Sequence, residues 1–337
     1  MDATPFIIVE IAQAHNGSIQ KVYDYIDALS GTGIDAIKFQ THIAEAESSI
    51  HEPFRVKFSD QDATRFDYWK RMEFSKDQWV EIKKRCDQAG LEFMSSPFSN
   101  AAVDLLEEIG VQRYKIGSGE VNNFLLLEKI AATGKPVIVS SGMSSFAELD
   151  ETAVFLNSKN VNFSILQCTT SYPTAPEQYG LNVIQKLKDR YRVPIGYSDH
   201  SADIGPCIAA TALGAEILEF HAVFNHTDFG PDATSSIEIK DIPMLVKSIR
   251  DIALSRKHPI DKSNNSQYAE LKRIFEKSLS VNKDLPKGHI LTFDDLEAKK
   301  PKGFGIDASK FQMLIGKPIR KELKKWDFLT ESDIENE

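Results

Sequence analysis

Short apolar runs and stretches with helical spacing alternate along the chain. There are eight such runs, and each ends in or near a polar residue able to take part in chemistry: IIVEIA, AIKFQ, EFMSS, RYKIGSGE, PVIVSS, FSILQCTT, PIGYSDH and ILEFH. The repeated order of strand, reactive residue and helix is typical of one architecture. It predicts an α/β fold, a (β/α)8 TIM barrel, with an active site at the carboxyl ends of its strands.

The boundaries of several elements follow from turn and capping residues. The first two strands are predicted at about Phe6–Ala12 and Ala36–Gln40, with Ser18 as the N-cap of the helix between them. A long segment, Ile43–Ser75, follows the second strand and is rich in aromatic and charged residues. Long loops after barrel strands usually shape the substrate pocket. The last helix of the barrel is predicted at Ile242–Leu254.

The texture of the sequence changes after the barrel. We predict a barrel domain over 1–255, a polar linker over 256–267 and a small β-rich domain over 268–337. The last domain shows a one-turn helix signal at Thr292–Leu296, and a similar pattern returns in KELKKWDFLTESDIE. A domain of that size has a marginal core of its own, so we expect it to pack against a barrel.

Composition narrows the class of protein. The chain has 337 residues, of which 42% are hydrophobic and 26% charged, as in ordinary soluble proteins. Its net charge of −9 disfavours nucleic acid as a partner. Its three cysteines show no metal-like spacing and are read as free thiols. Without a signal peptide or a transmembrane stretch, a cytoplasmic protein that does not bind membranes is expected.

Two lysines stand at the ends of predicted strands. Lys38 and Lys115 lie in apolar runs, where an ammonium is costly unless it has an anionic partner. Lys115 is followed by Ile-Gly-Ser-Gly, and the two glycines around Ser118 allow backbone N–H groups to approach an anion. The convergence suggests a phosphate or carboxylate ligand. The alternative is that each lysine extends to solvent from its strand end.

Two histidines end the last two strands. Because neighbouring strand ends meet at one face of a barrel, His200 and His221 could bind one divalent metal, with carboxylates or water completing the shell. The alternative is a pair of hydrogen-bonded structural histidines. His15, His42 and His226 lie in loops near the same face and are weaker candidates.

Three carboxylates are candidates for catalysis, namely Glu10, Glu120 and Asp232. Glu10 lies inside IIVEIA, where an unpaired charge would be expensive, so it could instead form a structural pair with Lys38. Asp232 follows a Gly-Pro turn and could be a solvated loop aspartate. Glu120 is our first candidate for proton transfer.

Taken together, the motifs resemble the sialic acid synthases, the phosphoenolpyruvate-dependent nonulosonate synthases that make N-acetylneuraminate, legionaminate and pseudaminate. The resemblance covers essentially the whole chain. It rests on VEIAQAHNGS, IKFQTH, FMSSPFS, YKIGSGE, VSSGM, QCTTSYPT, IGYSDH and FGPD, in that order. The last domain resembles the antifreeze-like (SAF) domain of that family, with a signature near EAKKPKGFGI.

The resemblance implies a condensation of phosphoenolpyruvate with an N-acetylated hexosamine such as N-acetylmannosamine, with release of phosphate. It implies a divalent metal, Mn2+ or Mg2+, on His200 and His221. The positions that match the family's phosphoenolpyruvate site are Lys38, Ser96, Lys115, Ser118, Ser140, Thr170 and Tyr172. The positions that match the surroundings of the metal-bound water and the sugar are Glu10, Gln40, Glu120 and Asp232.

Some positions depart from the family pattern. Ser96 stands where a threonine is usual, and Thr170 replaces an asparagine, as in legionaminate synthases. Lys300 stands where the family has an arginine that reaches the sugar's acetamido group from a domain-swapped partner. A domain-swapped homodimer is therefore expected, with Lys300 binding the sugar. Lysine keeps the charge but lacks the planar fork of arginine.

Two other functions fit parts of the sequence. A barrel lysine such as Lys115 could form a Schiff base, which would make the protein an aldolase that needs no metal. A catalytically weakened sugar-binding homologue is the third reading, because Lys300 and the last barrel strand leave room for lost activity. That strand reads EFHAVFN, where the family commonly has a basic residue before the histidine and Phe-Thr after it.

Overall fold

The computed structural model describes residues 4–56 and 60–335. Residues 57–59 of the predicted insertion and residues 336–337 of the predicted C-terminal domain therefore lie outside the described residues. The chain divides into two compact units, Met1–His258 and Pro259–Glu337. Among the residues described, no helix combines the length and the apolar character needed to cross a membrane.

The first unit is built on a closed barrel of parallel strands, which confirms the predicted fold. β1 pairs in parallel with both β2 and β8, and this pairing closes the sheet. A short additional strand, β9 Ile237–Glu238, pairs with the end of β8. The barrel strands are β1 Phe6–Glu10, β2 Ala36–Thr41, β3 Glu92–Pro97, β4 Tyr114–Ile116, β5 Val137–Ser140, β6 Phe163–Cys168, β7 Ile195–Asp199 and β8 Ile217–Val223.

Helices return the chain from each strand to the next. The predicted N-cap is confirmed, because the Ser18 side chain accepts a hydrogen bond from the backbone N–H of Lys21. Two of the helices, α2 and α3, lie within the long connection after β2. The helices of this unit are α1 Ile19–Leu29, α2 Ala44–Glu47, α3 Arg65–Met72, α4 Lys76–Gln88, α5 Asn100–Ile109, α6 Phe124–Ala131, α7 Phe146–Ser158, α8 Asn182–Tyr191, α9 Gly205–Ala212 and α10 Ile242–Lys257.

The barrel interior has an apolar layer below a polar one. Side chains two residues apart on a strand point to the same face, so each strand contributes to both layers. The apolar layer consists of Ile8, Ala36, Met94, Ile138, Leu166 and Ile217. Two residues further along the same strands come Glu10, Lys38, Ser96, Ser140, Cys168 and Glu219. The lower layer closes the barrel, and the upper one forms the floor of a polar cavity.

Two predicted boundaries were wrong. β1 ends at Glu10, not at Ala12, because Ala12 has a left-handed φ of 41° and its N–H donates to Glu10 Oε1 over 3.1 Å. The last barrel helix continues through Lys257, three residues beyond Leu254 and into the predicted linker. The final turn of this helix is polar but still helical, and Lys257 Nζ within it donates a hydrogen bond to Thr4 Oγ1 over 2.6 Å. Basic residues are also favourable at a helix C-terminus.

The second unit, Pro259–Glu337, has its own small apolar core. It contains a helix, α11 Ala269–Phe275, and an antiparallel pair, β10 Ser278–Val281 and β11 Leu296–Lys299. One-turn 3-10 helices occur at Phe293–Asp295 and Glu331–Asp333, which confirms the repeated turn signal. The core residues are Leu279, Val281, Leu285, Leu291, Leu314, Ile319, Leu323, Leu329 and Ile334.

Candidate active site

A cavity of about 380 Å3 opens at the carboxyl ends of the barrel strands. Nearly every predicted site residue lines it: Glu10, Lys38, Gln40, Ser96, Lys115, Ser118, Glu120, Ser140, Thr170, Tyr172, His200, His221 and Asp232. The exception is Lys300, which belongs to the second unit, where its Nζ lies 4.9 Å from the ring centroid of Phe275. The strand ends therefore bring the predicted residues of the barrel together in one place.

Two lysines and two carboxylates form a buried charge cluster on the cavity floor. Lys38 forms an ion pair with Glu10, its partner in the register between β1 and β2. Glu219 lies between the lysines, with its Oε1 3.7 Å from Lys38 Nζ and 3.2 Å from Lys115 Nζ. Lys115 also donates to Ser140 Oγ over 2.6 Å. The structural pairing considered for Glu10 and Lys38 is thus present, and it lies within the cavity.

The cluster sets the charge state of Glu219. Burial acts to raise the pKa of this carboxyl, but Lys115, Lys38 and His221 outweigh burial and hold the pKa below its usual range. One oxygen, Glu219 Oε2, is buried without a hydrogen-bond partner. The cluster therefore has unused acceptor capacity beside the two lysines. An anion entering the cavity would meet these lysines in a site of low solvent access.

Hydroxyl groups converge beside the lysines. Gly142, just after β5, lies so close to two of them that a Cβ at this position would be 2.3 Å from Thr170 Oγ1 and 2.4 Å from Ser118 Oγ. Only glycine leaves both hydroxyls in place. Ser96 and Ser140 are buried at the ends of β3 and β5. The cavity thus offers hydroxyls from four loops and strands around one cationic floor.

The two predicted metal ligands lie side by side. The ring centroids of His200 and His221 are 5.1 Å apart, at the ends of adjacent strands. Burial, and then the neighbouring His221, lower the pKa of His200 to about 3. Burial and Lys38 lower the pKa of His221 to about 3. Both imidazoles are therefore neutral near pH 7, which is the form that binds metals.

The hydrogen bonds of His200 fit the role of a ligand. Its Nδ1 lies 3.0 Å from the carbonyl oxygen of Thr169, so this nitrogen carries the proton and Nε2 keeps its lone pair. Nε2 faces the Tyr172 hydroxyl at 3.2 Å. Across residues 4–56 and 60–335, no group of three or more His, Cys, Asp or Glu side chains is arranged to hold a metal. A bound metal would need further ligands from water or substrate.

The three weaker histidine candidates do not all line the cavity. His42 lines the cavity, but His15 and His226 do not. His15 packs against Phe74, and its Nδ1 accepts a hydrogen bond from the Gly17 N–H. His226 Nε2 lies 2.8 Å from the Ser236 carbonyl oxygen. Position in a loop after a strand was the only reason to consider these two, and local hydrogen bonds hold them elsewhere.

The long connection after β2 supplies cavity residues that the sequence did not single out. Arg55 forms an ion pair with Asp232 at 2.7 Å and lies 4.3 Å from the ring centroid of Tyr172. Asp232 is therefore not a solvated loop residue. Arg65 and Trp69 line the same wall, with the Arg65 guanidinium 4.0 Å from the Trp69 ring. The expectation that this segment shapes the pocket is confirmed.

Comparison with known proteins identifies the family. Residues 25–260 match the sequence model of the NeuB family. The chain belongs to the NeuB family. The N,N'-diacetyllegionaminic acid synthase of Campylobacter jejuni is 32% identical to this chain, and the alignment covers 96% of this chain and 98% of the relative. The human N-acetylneuraminate-9-phosphate synthase is also 32% identical, with 98% of this chain and 93% of the relative covered.

A solved structure agrees with this assignment. The sialic acid synthetase of Leptospira borgpetersenii, solved with citrate, is 31% identical and has a TM-score of 0.71. The alignment covers 80% of this chain and 90% of that one. The resemblance to the sialic acid synthases is thereby confirmed for this NeuB protein.

Proposed function

We propose that this NeuB protein is a nonulosonic acid synthase. It condenses phosphoenolpyruvate with an N-acetylated hexosamine such as N-acetylmannosamine and releases phosphate. The observation that carries the proposal is the convergence of Lys38, Lys115 and two neutral imidazoles in one cavity. Relatives named as legionaminic, pseudaminic and neuraminic acid synthases support the same reaction class.

The buried floor of the cavity suits phosphoenolpyruvate. Lys38 and Lys115 offset the charge of this trianionic substrate, and the hydroxyls of Ser118 and Ser140 add hydrogen bonds. Held in this way, C3 of phosphoenolpyruvate faces the aldehyde of the open-chain sugar. C3 attacks the aldehyde carbon, the aldehyde oxygen takes up a proton, and an oxocarbenium is left at C2. Water adds at C2 and gives up a proton. The C2 hydroxyl of this tetrahedral intermediate then loses its proton to become the keto group as the C–O bond to phosphate breaks. Glu10, Glu120 and Asp232 supply the carboxylates around these steps.

His200 and His221 are suited to hold a divalent metal, Mn2+ or Mg2+. Both imidazoles are neutral, and the Thr169 carbonyl accepts a hydrogen bond from His200 Nδ1, which leaves Nε2 free to bind a metal, as is usual for metal-binding histidines. When bound, such a metal supplies Lewis acidity toward the sugar aldehyde.

Phosphate release tests the function. Purified protein is incubated with phosphoenolpyruvate and a panel of acetamido sugars, with and without EDTA, and phosphate is measured. A synthase releases phosphate only with a suitable sugar. An aldolase that works through a Schiff base would keep its activity in EDTA, and borohydride would trap its Schiff base with a keto substrate. The 3.2 Å contact of Lys115 with Glu219 argues against the aldolase, because it stabilises the ammonium and not the neutral nucleophile. A sugar-binding homologue would bind without turnover.

Lys115→Ala is expected to weaken the use of phosphoenolpyruvate. Losing a charge-assisted contact costs ~1.5–3 kcal/mol, roughly a tenfold to hundredfold loss in kcat/KM for this substrate. Steady-state kinetics with each substrate varied in turn measure the effect. Lys129→Ala, which removes a half-buried lysine of α6 that pairs with Asp104 outside the cavity, is the control. Unchanged phosphoenolpyruvate kinetics, with a loss confined to the sugar, would show that Lys115 serves another substrate.

The protonation of Glu120 should give kcat a pH dependence that a substitution can shift. Burial raises the pKa of Glu120, while the hydrogen bond from Asn123 Nδ2 at 2.7 Å opposes that shift. Glu120 is our candidate for proton transfer, and its protonated form is lost as pH rises through the raised pKa. The value of kcat should therefore fall on the alkaline side. Asn123→Ser keeps a cap for α6 but removes this hydrogen bond, so the pKa of Glu120 should rise further and the alkaline limb of kcat should move to higher pH. A limb that stays in place would exclude Glu120 as its origin.

Three expectations remain predictions. We infer from the family resemblance that residues 268–337 are an antifreeze-like (SAF) domain, preceded by a linker over residues 256–267. We also infer a domain-swapped homodimer in which Lys300 contacts the acetamido sugar of the partner's site. A cytoplasmic location is expected for a biosynthetic enzyme of this kind.

A further inference from the structure

Arg65 is a mostly buried cation on the cavity wall that has no role in the reaction as derived above. Its side chain is 14% exposed and lines the cavity. Its guanidinium carbon lies 4.0 Å from the ring centroid of Trp69, 4.8 Å from that of Tyr68 and 5.8 Å from that of Phe54. Aromatic rings attract the charge of a guanidinium, but ring carbons are weak acceptors for its N–H groups. The packing therefore holds the side chain in place without satisfying its donors.

The guanidinium of Arg65 makes no hydrogen bond to any residue in the ranges 4–56 and 60–335, although it carries about five N–H donors. The nearest carboxylate oxygen in those ranges, Glu52 Oε1, lies 3.6 Å from Arg65 Nε, which is too long for a hydrogen bond. Glu52 is already engaged, because its two oxygens accept from Trp69 Nε1 over 3.2 and 3.1 Å. Burial lowers the pKa of Arg65, and Tyr68 and Glu52 oppose that shift only in part.

Helix stability does not explain an arginine at this position. Arg65 is the first residue of α3, where a cation opposes the helix dipole. A capping box secures the start of α3 instead, because Thr64 Oγ1 accepts from the Asp67 N–H and Asp67 Oδ2 accepts from the Thr64 N–H, each over 3.1 Å. Arg55, on the same wall, donates to Asp232 Oδ1 over 2.7 Å. Arg65, unlike Arg55, therefore has its donors available to a ligand.

We propose that Arg65 is a specificity-determining residue that donates hydrogen bonds to a neutral oxygen, a hydroxyl or an acyl carbonyl, of the acceptor sugar. This inference rests on the proposed synthase function, in which phosphoenolpyruvate occupies the lysines of the cavity floor and leaves the wall to the acceptor. A neutral oxygen fits the local charge, because each wall arginine already has a carboxylate neighbour, Glu52 at 3.6 Å and Asp232 at 2.7 Å. A phosphate ester would add negative charge beside these carboxylates in a cavity that must also hold phosphoenolpyruvate.

Arg65→Met tests the assignment, because it removes the donors and keeps an unbranched side chain that can pack on Trp69. The KM is measured for the acetamido sugar that supports the fastest phosphate release. We expect this KM to rise at least about tenfold, because a charge-assisted hydrogen bond is lost. Arg65→Lys, which keeps the charge but not the planar fork, should recover part of the loss. An unchanged sugar KM in Arg65→Met would overturn the proposal.

Two comparisons with the parent sharpen this test. In Arg65→Met the KM for phosphoenolpyruvate should change by less than about threefold, because Lys38 and Lys115 are untouched. A loss confined to phosphoenolpyruvate would overturn the assignment of Arg65 to the sugar. The parent should also use the free sugar with a lower KM than its 6-phosphate. The reverse order, abolished in Arg65→Met, would overturn the assignment of Arg65 to a neutral oxygen.

Arg85→Met is the matched control for a role in packing. Arg85 is also a helix arginine beside an aromatic ring, 4.7 Å from the ring centroid of Tyr23, but it pairs with Asp27 and does not line the cavity. We expect Arg85→Met to have the sugar KM of the parent, and Arg65→Met to have the melting temperature of the parent. If Arg65 only supported the fold, Arg65→Met would melt at a lower temperature and its folded fraction would keep the parent's sugar KM, which contradicts the proposal.

Analogues of the sugar identify the contact itself. A set in which each analogue lacks one hydroxyl or the acetyl group is compared in the parent and in Arg65→Met. For the analogue without the oxygen that Arg65 contacts, kcat/KM in the parent should fall at least about tenfold. In Arg65→Met the same analogue should cost less than about twofold, because the donors are already gone. Equal losses in the two proteins for every analogue would overturn the proposal.

Failure of the proposed function gives a different result. If no acetamido sugar supports phosphate release, binding of N-acetylmannosamine to the parent and to Arg65→Met is compared by titration calorimetry. Tighter binding to the parent would keep Arg65 as a sugar-binding residue and remove only the synthase reaction. Equal binding to both proteins, or no binding to the parent, would overturn the proposal as well.

Discussion

His221→Ala is expected to lower phosphate release by at least on the order of a hundredfold while the barrel stays folded. Changes in the outer shell of metal sites already cost about 10–100-fold, and loss of a ligand should cost at least as much. The side chain is buried at the end of β8, adjacent to His200. Phosphate release is measured after metal removal and again after titration with Mn2+. The parent should recover activity on titration, and the variant should not.

A second readout separates metal binding from catalysis. The metal content of the dialysed proteins, measured by elemental mass spectrometry, should fall in His221→Ala. It should not fall in His258→Ala, a control that changes an exposed histidine just after α10. Because α10 runs back from the carboxyl ends of the strands, His258 lies at the opposite face of the barrel. Full activity of metal-free His221→Ala would refute the metal assignment, and the two histidines would then be structural.

Strand periodicity explains why so much of the cavity could be predicted. Once Ile8 faces the barrel interior, Glu10 must do so too, and the same relation links Ala36 to Lys38. A polar residue two positions after an interior apolar one is therefore visible without a structure. This rule accounts for the predicted site residues that lie on strands, whereas those beyond the strand ends, such as Ser118 after β4, rest on the loop motifs and the family resemblance.

Pairings across the barrel could not be read in this way. Glu219 was not among the predicted site residues, yet it lies between Lys38 and Lys115, which come from β2 and β4. That contact depends on the closure and stagger of the barrel, which periodicity does not specify. Arg55 and Asp232 are likewise separated by 177 positions in the chain. Contacts of this kind join loops whose paths the local sequence does not determine.

Glu219→Gln is expected to destabilise the barrel more than any other single change at the site. The substitution keeps the shape of the side chain but leaves Lys115 without its carboxylate in a buried cluster. Removing one partner of a buried ion pair costs about 3–5 kcal/mol, because the remaining charge is uncompensated. Urea unfolding followed by tryptophan fluorescence, with Trp79 buried in the core of the first unit, measures the loss. Glu151→Gln, on the exposed face of α7, is the matched control.

The pH dependence of this loss identifies its electrostatic origin. The pKa of Glu219 is held below its usual range in the folded protein. Its contribution to the free energy of unfolding is therefore fully present above the pKa of the unfolded chain, and it disappears as pH falls through the pKa of the folded protein. The difference between parent and Glu219→Gln should therefore shrink in acid. The difference should also shrink in alkali. Burial without a counter-ion gives the lysine of the variant a lower pKa in the folded protein than in the unfolded chain, so the lysine loses its proton, and with it the cost of a buried charge, as pH rises. A difference that stays constant from acid to alkali would indicate lost packing and not lost charge. An unfolding midpoint equal to that of the parent would show that Glu219 is not the counter-ion of the two lysines.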